Sequence, residues 1–281
     1  MRGEKAGMVS PITDSIDIRP IGIVHSPQRD TSGMSLTGEQ ACIEVYPEYA
    51  QGLKRIEEHS YLWILSWFHQ ANRNTRETTP RKVNPDAPLY GVFGIRTPGR
   101  PNPIGLSLVK LDQVQGNKII VQNLDAIDGS PVLDIKPYYD QDIIFSPRYP
   151  YIRPKQKELR REMMQKAALQ HHQEECHDLL LALRMAIVAE EELGNLHSAD
   201  LLVSVIGSPC LADTIQGLTR ARIANPSRFF YRENDHMTLV SWKKENQELF
   251  LLPKSSSYTK EELRFLPNES LFQIELINGD H

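Results

Sequence analysis

Along its first half the chain alternates apolar and polar residues with a period of two, the signature of half-buried strands. The runs "IRPIGIVHS", "ACIEVYP", "YLWILSWFH", "YGVFGIR", "IGLSLVKL", "KIIVQNL" and "PVLDIKPY" are rich in Ile, Val, Leu and aromatics, and clusters of Pro, Gly, Asn and Asp separate them. In "VQGNKIIV" the pair Gly116-Asn117 stands between two apolar stretches and predicts a hairpin, since both residue types tolerate positive φ. About seven short strands with few helices predict an antiparallel barrel or sandwich over residues 17–150, after a flexible leader at residues 1–16.

After "SPRYPYIRPK" the period changes. Residues 155–193 contain neither Pro nor Gly, and Leu159, Met163, Ala167 and Gln170, then Leu179, Leu183, Ala186 and Val188, follow helical spacing. Gly194-Asn195 supplies the stop. A strand-like "LLVSVIG", a helix-like stretch over 211–224 and strand-like "HMTLVSW" and "ELFLLP" come next. "TKEELRF" opens as a capping box, Thr259 with Glu262. The region 155–281 therefore reads as α+β, with the boundary near residues 150–156.

Composition narrows the classes. With 281 residues, 40% hydrophobic and 24% charged, the chain has the makeup of an ordinary globular protein. Its net charge of −4 excludes a uniformly basic nucleic-acid surface but leaves room for a local one. No window approaches ~18 consecutive apolar residues, and the start lacks the apolar core of a signal peptide. Three cysteines, Cys42, Cys176 and Cys210, without a CxxC, fit a reducing cytoplasm better than a disulfide scaffold.

The densest chemistry lies in "GIRTPGRPNPIGLSLVKL", residues 94–111. Pro98, Pro101 and Pro103 fix φ while Gly99 and Gly105 permit tight turns, so the loop has little entropy left to lose on binding. Arg96 and Arg100 add forked donors suited to carboxylate or phosphate, and Asn102 both donates and accepts. Between residues 73 and 110, seven cations (Arg73, Arg76, Arg81, Lys82, Arg96, Arg100, Lys110) face only Glu77 and Asp86. That cationic excess within an acidic protein marks a candidate anionic partner. In "DGSPVLDIKPYYD" Asp134, Lys136 and Tyr138 are spaced two apart on one strand face, either a solvated surface or a proton-transfer set.

Three blocks, "PIGIVHSP", "GIRTPGRPNPIGLSLVKL" and "DGSPVLDIKPYYD", together resemble the signature of the TrmO (YaeB-like) S-adenosylmethionine-dependent tRNA methyltransferases over roughly residues 17–150. The resemblance implies a small antiparallel β-barrel of non-Rossmann type and a homodimer with cofactor near the interface between its protomers. It also implies methylation at N6 of threonylcarbamoyladenosine beside the anticodon. No glycine loop of the Rossmann type occurs here. On this resemblance the cofactor turn is Arg100, Pro101, Asn102, Pro103, Ile104 and Gly105, with Asp134 beside the sulfonium. Lys136 and Tyr138 are the candidates to handle the proton of the target nitrogen, and Asp134 joins them as catalytic. Arg73, Arg76, Arg81, Lys82 and Arg96 are the candidate tRNA contacts. His69, in "SWFHQANR", also matches a family position, although a histidine beside an aromatic strand is more often a packed residue.

The second half resembles, more weakly, the formylmethanofuran dehydrogenase E-like domain, through "CHDLLLALRMAIVAEEELG" and "SPCLADTIQGLTRARIANPSRFFYRENDHMTLVSW". Aligned on Arg184-Met185-Ala186, His172, Glu174 and Cys176 stand where that family has His, His and Cys. Cys210 matches its second Cys, while Thr219-Arg220-Ala221 replaces a Gly-Cys-Thr. His172, Cys176 and Cys210 form a workable N/S set for zinc; alternatively the cysteines are small buried apolar residues. Such a domain implies an archaeal source. Two other readings stay open: an inactive cofactor- or tRNA-binding module, and a methyltransferase with another substrate.

Overall fold

The computed structural model describes residues 16–279; the leader expected at residues 1–16 lies, apart from Ile16, outside the described residues. The chain forms two compact units. One runs as far as Glu77 and resumes over Gly91–Asp140, and the other takes Thr78–Tyr90 and the chain from Gln141 onward.

Along residues 22–137 run β1 (Gly22–His25), β2 (Glu39–Val45), β3 (Tyr61–Trp67), β4 (Glu77–Thr78), β5 (Tyr90–Gly91), β6 (Ile104–Gln115), β7 (Lys118–Leu124) and β8 (Pro131–Pro137), with β4 and β5 each having one residue in either unit and the others in the first. Six of them close into a barrel in the order β1-β2-β7-β6-β3-β8, every pairing antiparallel, with β8 returning to β1. Val24, Ile43, Leu62, Ile64, Val109, Ile119, Val121 and Val132 fill its core at 0% exposure. The β6–β7 hairpin turns at Gly116 (φ 64°), and Asn117 secures it by donating its side-chain amide to the Val45 carbonyl at 2.7 Å. The predicted strand "YGVFGIR" is the exception. Only Tyr90–Gly91 pairs, with β4, and the rest turns back as the Gly94 N–H donates to the Gly91 carbonyl at 2.8 Å.

In the second unit the helical stretch splits into α1 (Lys157–His172) and α2 (His177–Leu193), followed by β9 (Leu202–Gly207), α3 (Pro209–Thr219), β10 (Phe229–Glu233), β11 (Leu239–Lys244), β12 (Gln247–Pro253), α4 (Lys260–Phe265), α5 (Asn268–Leu271) and β13 (Phe272–Asn278). The sheet runs β10-β9-β11-β12-β13, parallel only between β9 and β10. Leu179, Met185 and Ile215 from the helices pack with Val205, Trp242 and Leu249 from the strands. The capping box of α4 forms as the sequence predicts, Thr259 with Glu262. α3 stops at Thr219 instead of continuing to 224, because Arg220 turns left-handed (φ 53°) and bonds its N–H back to the Gln216 carbonyl at 2.8 Å. The edge strands β10 and β13 lie beyond the predicted set, since Tyr231, Arg232, Gln273 and Glu275 dilute their apolar pattern.

α2 also anchors the segment that precedes α1. The carboxylate of Glu190, 7% exposed, accepts from Tyr151 Oη at 2.5 Å, from Arg153 Nε at 2.7 Å and from Arg160 at 3.1 Å. Burial first, then the neighbouring Glu190 carboxylate, pushes the Tyr151 phenol well above its ordinary range and keeps it a donor. Glu190→Gln removes the charge and keeps the shape. It should cost the second unit about 2 kcal/mol, below the usual loss for a broken buried pair because Arg153 is 41% exposed. The urea midpoint of the α-helical circular dichroism signal, which arises from this unit, measures it; an unchanged midpoint would show that solvent holds the arginines equally well.

Candidate functional site

β3 is paired along both edges, to β6 on one side and to β8 on the other. Leu62, Ile64 and Ser66 point inward, so Tyr61, Trp63, Leu65 and Trp67 form the outer wall. Register then extends this wall sideways: Trp67 opposes Ile104, Leu65 opposes Leu106 and Asp134, and Trp63 opposes Leu108 and Lys136. Asp134, Lys136 and the head of the Pro-rich turn thus share one surface, with Asp134 about 7 Å, two strand residues, along from the turn.

The turn is held from within. Arg100 donates to the carbonyls of Thr97 (2.8 Å), Val92 (2.8 Å) and Ile95 (2.7 Å), so much of its guanidinium is committed to the loop itself. Arg73 donates from Nε to the Pro101 carbonyl at 3.0 Å and lies over the Trp67 ring at 5.5 Å. Phe68 bonds its N–H to the Pro103 carbonyl at 2.8 Å, and a Cβ at Gly105 would meet Phe68 Cζ at 2.5 Å, so only glycine fits there. Pro103 and Gly105 are buried, Pro101 and Ile104 half-buried, and Asn102 exposed at the tip.

Asp134 pairs with Lys136 at 2.7 Å through Oδ2 and accepts the Ile135 N–H at 2.9 Å through Oδ1. Both side chains are well exposed, so the pair contributes under about 1 kcal/mol and is easily rearranged. Tyr138 leaves this pair and packs edge-on against Tyr61 at 6.3 Å and tilted against Trp63 at 5.9 Å. Arg76 donates to the Arg73 and Thr75 carbonyls, Arg96 is exposed, and Arg81 and Lys82 belong to the second unit. His69 is exposed, just past β3.

Two further groups emerge only in the fold. Ser66 Oγ and Ser130 Oγ are buried and hold no hydrogen-bond partner among the described residues. Ser107, also buried, donates to Asp125. A hydroxyl buried without a partner costs free energy unless something completes it. For Ser66 and Ser107 the signal was present as serine at inward positions of "YLWILSW" and "IGLSLV", where the period of two calls for an apolar residue, whereas Ser130, just before β8, carried none.

The second unit gathers the other candidate set. α1 ends at His172, Gln173 turns left-handed (φ 64°), and Cys176 caps α2, its Sγ accepting the Leu179 N–H at 3.3 Å. Cys210 opens α3 just after Pro209. One ligand atom each from His172, Cys176 and Cys210 lies within 4.8 Å of the others. His172 Nε2 is 3.3 Å from Cys176 Sγ, and its Nδ1 meets Asp213 Oδ2 at 2.7 Å, which fixes the ring. Gly217 permits this approach of α1 to α3, since a Cβ there would lie 2.4 Å from His171 Cδ2. Burial, then Cys176, Asp178 and Glu174, push the Cys210 thiol up. A bound cation would reverse that preference.

Residues 24–142 match the family model described as the tRNA-methyltransferase O N-terminal domain. A "Probable S-adenosyl-L-methionine-binding protein" of Archaeoglobus fulgidus is 32% identical over 226 residues, 76% of this chain and 61% of that relative, so the chain spans about three-fifths of its length. A protein of the same description from Methanothermobacter thermautotrophicus is 43% identical over 129 residues, 44% of this chain and 91% of that relative. The "tRNA (adenine(37)-N6)-methyltransferase" of Mus musculus is 42% identical over 108 residues, 35% of this chain and 24% of that protein. The matched family region takes in the barrel strands, the Pro-rich turn and the wall that carries Asp134, and the chain belongs to the tRNA-methyltransferase O (TrmO) family.

Proposed function

We propose that the first unit is an S-adenosylmethionine-dependent tRNA methyltransferase acting at N6 of threonylcarbamoyladenosine beside the anticodon. The observation that carries this is the shared wall on which the rigid Asn102 turn and the Asp134–Lys136 pair stand together. The relatives' descriptions, cofactor binding in the archaeal proteins and tRNA adenine-N6 methylation in the mouse protein, support it. The residues present fit the cofactor: Arg100 and Arg73 already order the turn, and the Asn102 amide is exposed at its tip where it can both donate and accept.

Arg100–Gly105 would hold the cofactor through backbone groups and Asn102. When bound, S-adenosylmethionine supplies an electrophilic methyl group on a sulfonium. Asp134 offers negative charge to a cation on this wall. Of the two candidates to polarise the acyl carbonyl or receive the proton of the target nitrogen, Lys136 stands on this wall beside Asp134, whereas Tyr138 is packed against Tyr61 and Trp63. With the turn and the wall pre-set, positioning supplies most of the rate. Arg96 and Arg73 serve tRNA phosphate or the substrate carboxylate, and Arg76, Arg81 and Lys82 the tRNA backbone. A homodimer through the apolar outer wall, where Leu106 is 44% exposed, and a cytoplasmic location complete the reading. Among the described residues no helix is long and apolar enough to cross a membrane.

For the second unit we propose a formylmethanofuran dehydrogenase E-like domain that binds zinc through His172, Cys176 and Cys210. The three atoms converge, Asp213 orients the imidazole, and both sulfurs sit at helix N-termini.

The methyltransferase reading predicts micromolar cofactor affinity without tRNA, roughly −8 kcal/mol, measured by calorimetry. Asn102→Ala should weaken it about tenfold. Mass spectrometry of nucleosides from tRNA incubated with protein and cofactor should show the methylated base; its absence despite cofactor binding would favour another substrate.

Removing charge tests the tRNA contact. Arg81→Ala with Lys82→Ala should lower the slope of log affinity against log salt by nearly two units, about 0.7–0.9 per charge, and leave cofactor affinity unchanged. An unaltered slope would make this pair a solvated surface.

Metal content tests the second unit. Purified protein should carry about one zinc per chain, and Cys176→Ser should abolish it while methyl transfer persists. Folded, metal-free wild-type protein that takes up no added zinc would refute the site.

A further inference from the structure

We infer that the His172–Cys176–Cys210 centre is coordinatively open: three protein ligands hold the ion, and the fourth position takes an exogenous small thiol. This inference rests on the zinc reading above.

The ligand count comes first. Among the described residues the cluster contains these three groups and no fourth His, Cys, Asp or Glu. The neighbours that would close it are committed elsewhere. Asp213 is shared between His172 Nδ1 at 2.7 Å, on the side of the ring away from the Nε2 that meets Cys176, and His171 Nε2 at 3.2 Å. His177 bonds to Asp178 at 3.0 Å and to the Tyr258 carbonyl at 2.8 Å. Asp178 in turn accepts the Ser208 hydroxyl at 2.5 Å, and Glu175 is paired with Arg264. Glu174 is exposed on the connection between α1 and α2, outside the cluster.

Exposure and charge indicate the ligand class. Cys176 and Cys210 are both half-buried, so solvent reaches the centre instead of being sealed from it, unlike a closed structural site. Two thiolates already neutralise a dication, and the donor set is soft, which favours a further sulfur over a hard anion. Asp178, Asp213 and Glu174 add negative charge around the site, which disfavours a free anion but admits a thiol that arrives neutral. On binding, the new metal–sulfur bond would replace a solvent donor, and the thiol proton would leave to solvent.

The test uses cobalt in the full-length chain, loaded in place of zinc, with 2-mercaptoethanol as probe. At rest the near-ultraviolet band from sulfur to cobalt should report two thiolates, and excess thiol should raise it about 1.5-fold, as two sulfurs become three. Cobalt must stay with the protein through gel filtration, and Cys42→Ser should behave as wild type because Cys42 lies in the other unit. Glu174→Gln should leave the resting spectrum unchanged. A two-thiolate band that ignores added thiol, or a resting spectrum altered by Glu174→Gln, would mean a closed centre and overturn the inference while leaving metal binding intact. No thiolate band at all would overturn both.

Discussion

The barrel and its candidate site depend on the register of β3. This strand is hydrogen-bonded along both edges, so its alternation decides what both neighbours present outward. A slip of one residue would bury Trp63 and Trp67, turn Leu62 and Ile64 to solvent, and take Leu65 and Trp63 away from Asp134 and Lys136 on the outer face. The wall survives because inward volume is tightly specified: Leu62 and Ile64 are fully buried, and Gly105 opposite Ser66 leaves space only for the Phe68 ring.

Rigidity of the Pro-rich turn follows from that anchoring. Prolines restrict the chain, but Arg100 and Arg73 finish the task by donating to carbonyls within the loop. The local excess of positive charge is therefore divided between two uses. Arg73, Arg76 and Arg100 satisfy backbone carbonyls that no strand partner reaches, while Arg96 is left exposed at the loop and Arg81 and Lys82 stand on the other unit. A cation bonded within the loop positions it, and where it is also exposed, as Arg73 and Arg76 are, its remaining N–H groups still face solvent and a polyanion.

The second unit uses a different device to converge three distant residues. A break between two helices places His172 and Cys176 within 3.3 Å, and a glycine on α3 lets α1 approach closely enough for Asp213 to orient the histidine. Helix N-termini supply both sulfurs, Cys176 as the cap of α2 and Cys210 in the first turn of α3.

The sequence by itself determined the all-β character of the first unit, the α+β character of the second, the Gly116 hairpin, the Thr259 cap and the three signature blocks. Each is a local property, written in a period of two or 3.6 or in the φ freedom of single residues. Side-chain partners depend on what arrives from elsewhere in the chain, and these only the tertiary structure decided. It turned "YGVFGIR" from strand into loop through the arginine at position 100, and it assigned residues 78–90 to the second unit. It separated Tyr138 from Lys136 by offering it Tyr61 and Trp63, and it left Ser66 and Ser130 buried without hydrogen-bond partners among the described residues. The His172–Cys176–Cys210 cluster is also a tertiary product: the break between α1 and α2 brings His172 to Cys176, where the sequence spacing alone suggested one shared helix face, and Cys210 joins them because α3 packs against α1 and α2.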